Sequence, residues 1–484
     1  MVRIFLVAPI FFPFIIALIL SFKEYTEKQR NFIVVSGAVI NFLLLLLNAF
    51  VLKPSRIHLL RFNEFVDIYF KLDTISLVFS FLVSILWIFT AFYSIEYMCH
   101  ERKPNRFFVF FYATLGVTIG ISLSANLITL YLFYELLTLT TFPLVIYAGN
   151  AAALKAGYKY LIYSFTGAAF SLCGMLLIFC QTQSLDFIPG GILPQINADD
   201  SLYYFIAYAL MFLGFGVKAG LVPLHSWLPA AMIAPTPVSA LLHAVAVVKS
   251  GIFSLIRITY FIFGPIAITA VKGDRFALIF ILITILTGSF LAIHQSNLKK
   301  RLAYSTISQL GYIMLGLVVF NPNSFTGGML HMVFHALIKI TLFFCVGAIM
   351  HITGKTEIDE IQGLGKQMPR LMWCFSLSAI SLIGIPPTNG FVSKWYLATG
   401  SLQNGDAIIA IALLLSALLT AGYLFPIIST AFFKPAPDNA SDYNESQHKM
   451  LIIPIMILTA IILLTGLFPN PIINVLNSIS QTIN

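Results

Sequence analysis

Charge is what this sequence has least of. Only 10% of its 484 residues are Asp, Glu, Lys or Arg, and 59% are hydrophobic. A soluble domain carries about 25% charged residues. Less than half that share leaves too little polar surface to hold a chain of this size in water. The composition therefore excludes a soluble globule and implies an integral membrane protein. Cysteine is scarce as well. Cys99, Cys173, Cys180, Cys345 and Cys374 show no CxxC or CxxxC spacing, which argues against a disulfide framework or a metal cluster. They read as small apolar residues. A phosphate-binding loop, a GxGxxG after a strand, a Ser-His-Asp arrangement and a haem-ligand pattern are all missing. No cofactor, no metal and no redox centre of its own are expected. Nor does the net charge of +9 require a nucleic-acid partner, because basic cytoplasmic loops give a membrane protein the same balance.

What is present is a series of apolar runs. A span needs about 20 apolar residues, and runs of that kind, from 4–22 to 450–468, predict an all-α integral membrane fold with about 14 transmembrane helices. The first run, from Ile4 to Leu20, resembles a signal peptide but lacks a small-residue cleavage site before Lys23, so it is read as a span. Lys and Arg set the orientation. The loop after span nine, Asn297-Leu-Lys-Lys-Arg301, is strongly basic, and the loop after span eleven holds Lys355, Lys366 and Arg370. The loop after span ten is uncharged, and the loop after span six carries only Asp186, Asp199 and Asp200. This alternation predicts that both termini lie on the outer side of the membrane. Residues 52–72 run against it with Lys53, Arg56, Arg61 and Lys71, but Glu64 and Asp67 lie among them and suggest a folded external hairpin.

An offset of 171 residues places Ser-Ala-Asn-Leu (124–127) on Gln-Ser-Asn-Leu (295–298), and Ala156-Gly157 on Gly327-Gly328. Spans 4–8 are thus expected to repeat as spans 9–13. Five is an odd number, so the second copy enters the membrane inverted, as in transporters with mid-membrane sites on interrupted helices. The expected divisions are an N-terminal three-helix segment (1–106), two five-helix repeats (107–260 and 276–432) and a C-terminal transmembrane helix (450–484). Prolines mark the breaks: Pro223, Pro229, Pro235 and Pro237 after span seven, and Pro386-Pro387 within span twelve. Broken backbone survives in lipid only where protein or water satisfies it.

Charges occur inside the spans at Glu135, Lys218, Lys249, Arg257, Lys339 and Lys394. An ionised group at the centre of a span costs about 2.5–3.5 kcal/mol on insertion scales. A buried ion pair accounts for one Glu and one Lys, not for four lysines. A lysine withdrawn from water is driven toward its neutral form and can exchange a proton near neutral pH, and a nearby carboxylate opposes this. In span eleven His331, His335 and Lys339 are four apart and share one face. Packing hydrogen bonds, a zinc site lacking a third ligand and a proton relay through waters are the alternatives there. His243 precedes Lys249 by six, and His225 follows Lys218 by seven. Ser305, Thr306, Ser308 and Gln309, with Thr138, Thr140 and Thr141, add polar atoms that could hold water. Arg257, near a span end, is expected to snorkel to the surface.

The run Lys218-Ala-Gly-Leu-Val-Pro-Leu-His225-Ser-Trp227-Leu-Pro229, continued by Ala-Ala-Met-Ile-Ala-Pro235-Thr-Pro237-Val-Ser-Ala-Leu-Leu-His243, resembles the signature of the proton-translocating antiporter-like subunits. These occur in respiratory complex I, membrane-bound hydrogenases and Mrp-type sodium/proton antiporters. The resemblance covers spans four to thirteen. It implies that Glu135 pairs with Lys218, that Lys249 is a relay lysine, and that His335, with His331 and Lys339, lies on a connecting helix. It implies that Lys394, in Gly390-Phe-Val-Ser-Lys394-Trp, is the terminal site. Lysine there is found in Mrp D-like, L-type and N-type members, whereas M-type members carry glutamate. A chain ending at Asn484 has no room for the L-type lateral helix, so a D-like member is expected. The implied function is proton translocation within a multisubunit Na+/H+ antiporter, in contact with lipid and other membrane subunits. The alternative is a pump subunit of a quinone- or hydrogenase-linked complex. Sodium prefers several oxygen ligands, and one buried carboxylate does not supply them, so protons are expected here and Na+ elsewhere in the complex.

Overall fold

The computed structural model describes residues 4–51, 56–61, 67–99, 101, 103–197, 199–436 and 443–483. The chain opens with α1 (Ile4–Phe22) and α2 (Glu27–Val51), then an antiparallel hairpin of β1 (Arg56–Arg61) and β2 (Asp67–Lys71), then α3 (Thr74–Tyr97). The expected hairpin is thus present, with Arg61 opposite Asp67; Lys53 and Glu64 lie outside the described residues. Next come α4 (Pro104–Leu123), α5 (Leu127–Val145), α6 (Ala151–Thr182) and α7 (Ser201–Lys218). After α7 the chain breaks into turns and the short α8 (Trp227–Ala230). It then re-enters as α9 (Thr236–Ala244) and α10 (Val247–Arg257), which continues into a π-helical turn, Ile258–Phe263.

Beyond the short α11 (Pro265–Ala270) lie α12 (Gly273–Ile293), α13 (Leu298–Val318) and α14 (Pro322–Thr353). The short α15 (Leu364–Gln367) precedes α16 (Pro369–Ile383) and α17 (Asn389–Gln403), the two halves of one broken helix. The chain closes with α18 (Ala407–Phe433), α19 (Lys449–Leu467) and α20 (Asn470–Ile483). Among the described residues, twelve helices are long and apolar enough to cross a membrane. Of the other two expected spans, α13 is long but carries Lys299, Lys300, Arg301, Ser305, Thr306, Ser308 and Gln309, and the α16–α17 span is split at Gly384–Thr388. The segment 450–484 holds a spanning helix and a second short one, α20, tied back to α14 by Thr326 Oγ1 to Asn477 Oδ1 at 2.9 Å.

The offset of 171 residues reappears in the backbone. Leu127 N donates to Leu185 O, and Leu298 N to Thr356 O. Phe187 N donates to Ala125 O, and Ile358 N to Ser296 O. Each second bond is the first moved on by the same step. Asn126 and Asn297 cap α5 and α13 by accepting from Thr129 N and Lys300 N, at 2.8 and 3.2 Å. An asparagine oxygen at this position satisfies an amide that a helix start leaves free. The helices that follow, α6 and α14, are each 32 residues long.

The loops sort into two ends. At one end the β-hairpin meets the α4–α5 turn through Ala125 N to Tyr69 O, 3.2 Å, and Tyr69 OH donates to Asp186 Oδ1, 2.5 Å. At the other, Tyr97 OH meets Thr236 Oγ1 at 3.0 Å, and Glu96 accepts from His448 Nδ1 at 2.7 Å. Long α14 runs through the interior between them, packed against α3, α9, α13, α16, α17 and α19.

Candidate functional site

Lys218 is the last residue of α7 and is fully buried. Its Nζ donates to the backbone oxygen of Tyr134 on α5 and sits 3.4 Å from the centroid of the Tyr134 ring. The negative end of the helix dipole and the ring face both favour a cation at this spot. Glu135, the next residue on α5, interacts electrostatically with Lys218. No ion pair joins them among the described residues, and Glu135 Oε1 is buried without a hydrogen-bond partner. The carboxylate is thus near the ammonium but not locked to it.

The break that ends α7 is held by specific bonds. Trp227 Nε1 donates to Val217 O at 2.9 Å, sharing that carbonyl with Gly220 N at 3.1 Å. Val222 N donates to Thr284 Oγ1 of α12 at 3.0 Å. Gly251 of α10 packs directly on the break: a Cβ there would stand 2.5 Å from Ala219 N and 2.9 Å from the carbonyl carbon of Lys218. That contact brings the helix carrying Lys249 against the end of the helix carrying Lys218.

From Lys249 the polar groups follow in sequence, hydrogen-bonded except between the two histidines, where His335 Nε2 is buried without a partner. Lys249 Nζ lies 2.5 Å from His335 Nδ1, both side chains fully buried. One of the two nitrogens donates to the other, which links the two bases directly. The rings of His335 and His331 are 5.8 Å apart, one helical turn along α14. His331 Nε2 meets Gln309 Oε1 at 3.0 Å, and its Nδ1 meets Ser393 Oγ of α17 at 2.9 Å. One residue further, Lys394 Nζ donates to Leu382 O at 2.7 Å and Ile383 O at 2.9 Å. Those are carbonyls that the end of α16 leaves free. Gly384, at φ +93°, makes room: a Cβ there would come within 2.9 Å of Lys394 Cδ. Lys394 reaches back across its break, whereas Lys218 stops before its own. The Lys394 ammonium ends at the C-terminus of a broken half-helix, whereas the Lys218 side chain starts from one and ends on α5.

A branch leaves the same region. Lys339 Nζ donates to Leu302 O at 3.0 Å and Ser305 Oγ at 2.8 Å, and Ser305 meets Tyr423 OH at 2.8 Å. His243 is fully buried with both ring nitrogens unpartnered, and it feels the charges of Lys339, Lys299 and Lys249. His243 and Lys249 flank an interruption between α9 and α10, where Leu241 O accepts from both Val245 N and Ala246 N. No proline or glycine marks this interruption.

The structure separates some expected residues from this line. His225 is partly exposed, 6.3 Å from the Tyr304 ring, and touches none of the buried lysines. Pro223, Pro386 and Pro387 are exposed at the breaks, and Pro229 is buried in α8. Arg257 does not snorkel. It is 1% exposed and grips Asp73 with two bonds of 2.7 and 3.0 Å, adding a third to Ser76 Oγ at 2.9 Å. Its expected route to the surface is closed by Phe187, Phe253 and Phe261.

Three further residues join the site without a clear signal in the sequence. Lys299 reads as a loop charge, yet it is 5% exposed, with Nζ 2.6 Å from Ala234 O. Tyr134 and Tyr312 read as ordinary span aromatics. Tyr312 stacks on His331 at 5.3 Å, and Lys394 stands over the same ring at 5.1 Å. The lysine at each helix break thus stands over a tyrosine, with the rings on α5 and α13, the helices whose starts share the 171-residue correspondence.

Comparison with known proteins places the chain. Residues 124–420 match the family described as NADH:quinone oxidoreductase/Mrp antiporter, TM, and residues 63–108 match that described as NADH-Ubiquinone oxidoreductase (complex I), chain 5 N-terminus. The N subunit of the NADH-quinone oxidoreductase of Desulforudis audaxviator is 35% identical over 390 residues, 77% of this chain and 76% of that protein. The D subunit of the Na(+)/H(+) antiporter of Alkalihalophilus pseudofirmus is 29% identical over 475 residues, 96% of this chain and 94% of that protein. The fold also matches a chain in the structure of the Mrp complex from Dietzia sp. DQ12-45-1b, at TM-score 0.87 and 21% identity over 99% of this chain and 97% of that one. A multi-span membrane chain with lysines bonded inside the protein at two helix breaks and a histidine helix between them therefore belongs to the NADH:quinone oxidoreductase/Mrp antiporter transmembrane family.

Proposed function

We propose that this chain translocates protons across the membrane as one member of a multisubunit Na+/H+ antiporter. The proton path runs through Glu135, Lys218, Lys249, His335 and Lys394, with His331, His243 and Lys339 as auxiliary groups. The observation that carries the reading is the 2.5 Å contact between Lys249 and His335, inside a buried line that continues through His331 and Ser393 to the partly buried Lys394. Glu135 lies close enough to Lys218 to bias where its proton sits, and it is free to change its distance. His225 is assigned to the mouth of the path, not its interior. The near-full-length match to the D-type antiporter chain supports this assembly, and other membrane subunits are its expected partners.

The duplicated bonds at Leu127–Leu185 and Leu298–Thr356 support reading 107–260 and 276–432 as two inverted copies, between 1–106 and 450–484. The basic end, with Lys299, Lys355 and Lys449, is assigned to the cytoplasm of a bacterial inner membrane, and both termini to the outer side. Lys218→Ala or Glu135→Ala is expected to abolish Na+-driven proton movement in everted vesicles while the complex still assembles. Normal exchange in either variant would remove the reading.

A second reading is favoured by the 35% identity to the N-type chain of a quinone oxidoreductase. There the same lysines would be driven by electron transfer in other subunits. Mass spectrometry of the complex extracted in mild detergent separates the two. Small membrane subunits alone support the antiporter, and iron–sulfur or flavin subunits support the oxidoreductase.

A further inference from the structure

Away from the lysine line, the basic end holds a cleft of about 700 Å³ between the α1–α2 loop and the start of α4. Lys23, Arg30, Lys103 and Arg106 line it, against Glu24 in the cleft and Glu27 one turn before Arg30. Lys23, Lys103 and Arg106 are exposed. Arg30 is different. It is 6% exposed, its NH2 donates to Asn31 Oδ1 at 3.3 Å, and its guanidinium lies 5.8 Å from the Phe108 ring. Its Nε is buried without a partner. A buried N–H of a charged group left unmade is costly. The planar guanidinium fork matches an anionic oxygen, phosphate above all.

The cleft shares Ser21 and Val109 with an apolar groove along α1, lined by Phe11, Phe14, Ile15 and Leu18. Phe11 and Leu18 are 42% and 55% exposed. A cluster of cations therefore stands directly at the end of a hydrocarbon-sized channel on the membrane-facing side of α1. We propose that this cleft binds the phosphate headgroup of an anionic phospholipid, with one acyl chain laid in the α1–α4 groove. Arg30 is the buried contact to the phosphate, and Lys23, Lys103 and Arg106 close around it from the loops. The lipid fastens the α1–α2 hairpin to α4.

The test uses the intact complex in mild detergent, titrated with dioleoylphosphatidylglycerol, dioleoylphosphatidylcholine or inorganic phosphate, with bound lipid counted by native mass spectrometry. Wild type is expected to prefer phosphatidylglycerol to phosphatidylcholine by tenfold or more, and phosphate is expected not to displace it. Each cation near a membrane surface contributes about fivefold. Lys23→Gln/Arg106→Gln, which changes exposed side chains only, should therefore weaken phosphatidylglycerol binding about 25-fold. The control Lys155→Gln/Lys300→Gln should leave it unchanged. Arg30→Gln should abolish the preference; if that variant does not fold, the double variant decides alone. Equal binding of the two lipids, displacement by phosphate at equal concentration, or an unaffected Lys23→Gln/Arg106→Gln variant overturns the proposal.

Discussion

Replacing Gly251 by alanine adds one methyl group and should disable transport without unfolding the protein. The new Cβ would meet Ala219 N at 2.5 Å and the carbonyl carbon of Lys218 at 2.9 Å. Ordinary contacts lie near 3.5–4.0 Å. The opposing atoms are backbone and cannot swing aside, so α10 and the end of α7 must part by about 1 Å. Overpacking of this kind costs about 1–3 kcal/mol, within what a folded domain tolerates. Function should suffer more. Lys218 bonds to Tyr134 from one of these helices, and Lys249 bonds to His335 from the other, so one bond must lengthen. Misplacement by about 1 Å can cost a positioned reaction roughly a hundredfold, and at least a tenfold slower antiport is expected. The assay is dye-reported proton movement in everted vesicles, normalised to the amount of assembled complex, with thermal unfolding in detergent as the packing check. Gly422→Ala serves as control, since a Cβ there meets only Ile293 Cδ1, at 3.8 Å. A Gly251→Ala variant that transports at the wild-type rate refutes the argument, whatever its stability.

Tyr312→Leu removes the ring under Lys394, and a desolvated cation–π contact is worth about 2 kcal/mol. Antiport should fall severalfold, while Tyr312→Phe, which keeps the ring, should retain most of it in the same vesicle assay; equal loss in both would assign the effect to the hydroxyl bond with Leu413 O. Asp73→Asn leaves the Arg257 guanidinium buried without its counter-charge. Breaking such a pair costs about 3–5 kcal/mol, reduced here to about 2–4 because the Asp73 side chain is 24% exposed. The midpoint of denaturation in detergent should drop accordingly, and an unchanged midpoint would show that the clamp does not hold α10 to α3.

Much of the site was legible because charge is so rare in this chain. A lysine inside an apolar run has few explanations, and Lys218, Lys249, Lys339 and Lys394 all proved buried or bonded within the protein. The i, i+4 spacing of His331, His335 and Lys339 placed them on one face without any knowledge of the neighbouring helices. Partners were harder to read. Arg257 looked like a surface-seeking residue because Asp73 lies 184 positions away, in a loop before α3. Lys299 sat in the run Lys-Lys-Arg, where nothing in the sequence signals that two of the three, Lys299 and Arg301, turn inward. The interruption between His243 and Lys249 falls in Leu-His-Ala-Val-Ala-Val, with no breaking residue, because tertiary contacts and not propensity impose it. His225 lies apart from the buried lysines for the opposite reason: closeness to Lys218 in sequence says little once the chain turns at Pro223.

The matched lengths of α6 and α14 bear on how this architecture can change. Each begins after an asparagine, Asn150 or Asn321, and ends at a residue of positive φ, Gln183 or Gly354. At about 1.5 Å per residue, 32 residues form a rod of roughly 48 Å. One inserted residue in α14 would turn everything after it by about 100°. Inserted between His335 and Lys339, it would swing the lysine off the face it shares with the histidine. Insertions and deletions are therefore barred from either rod, while substitutions are not. Along α14 nearly every side chain is enclosed by protein, and along α6 most are not. The two rods match in length and differ in how far the protein itself surrounds them.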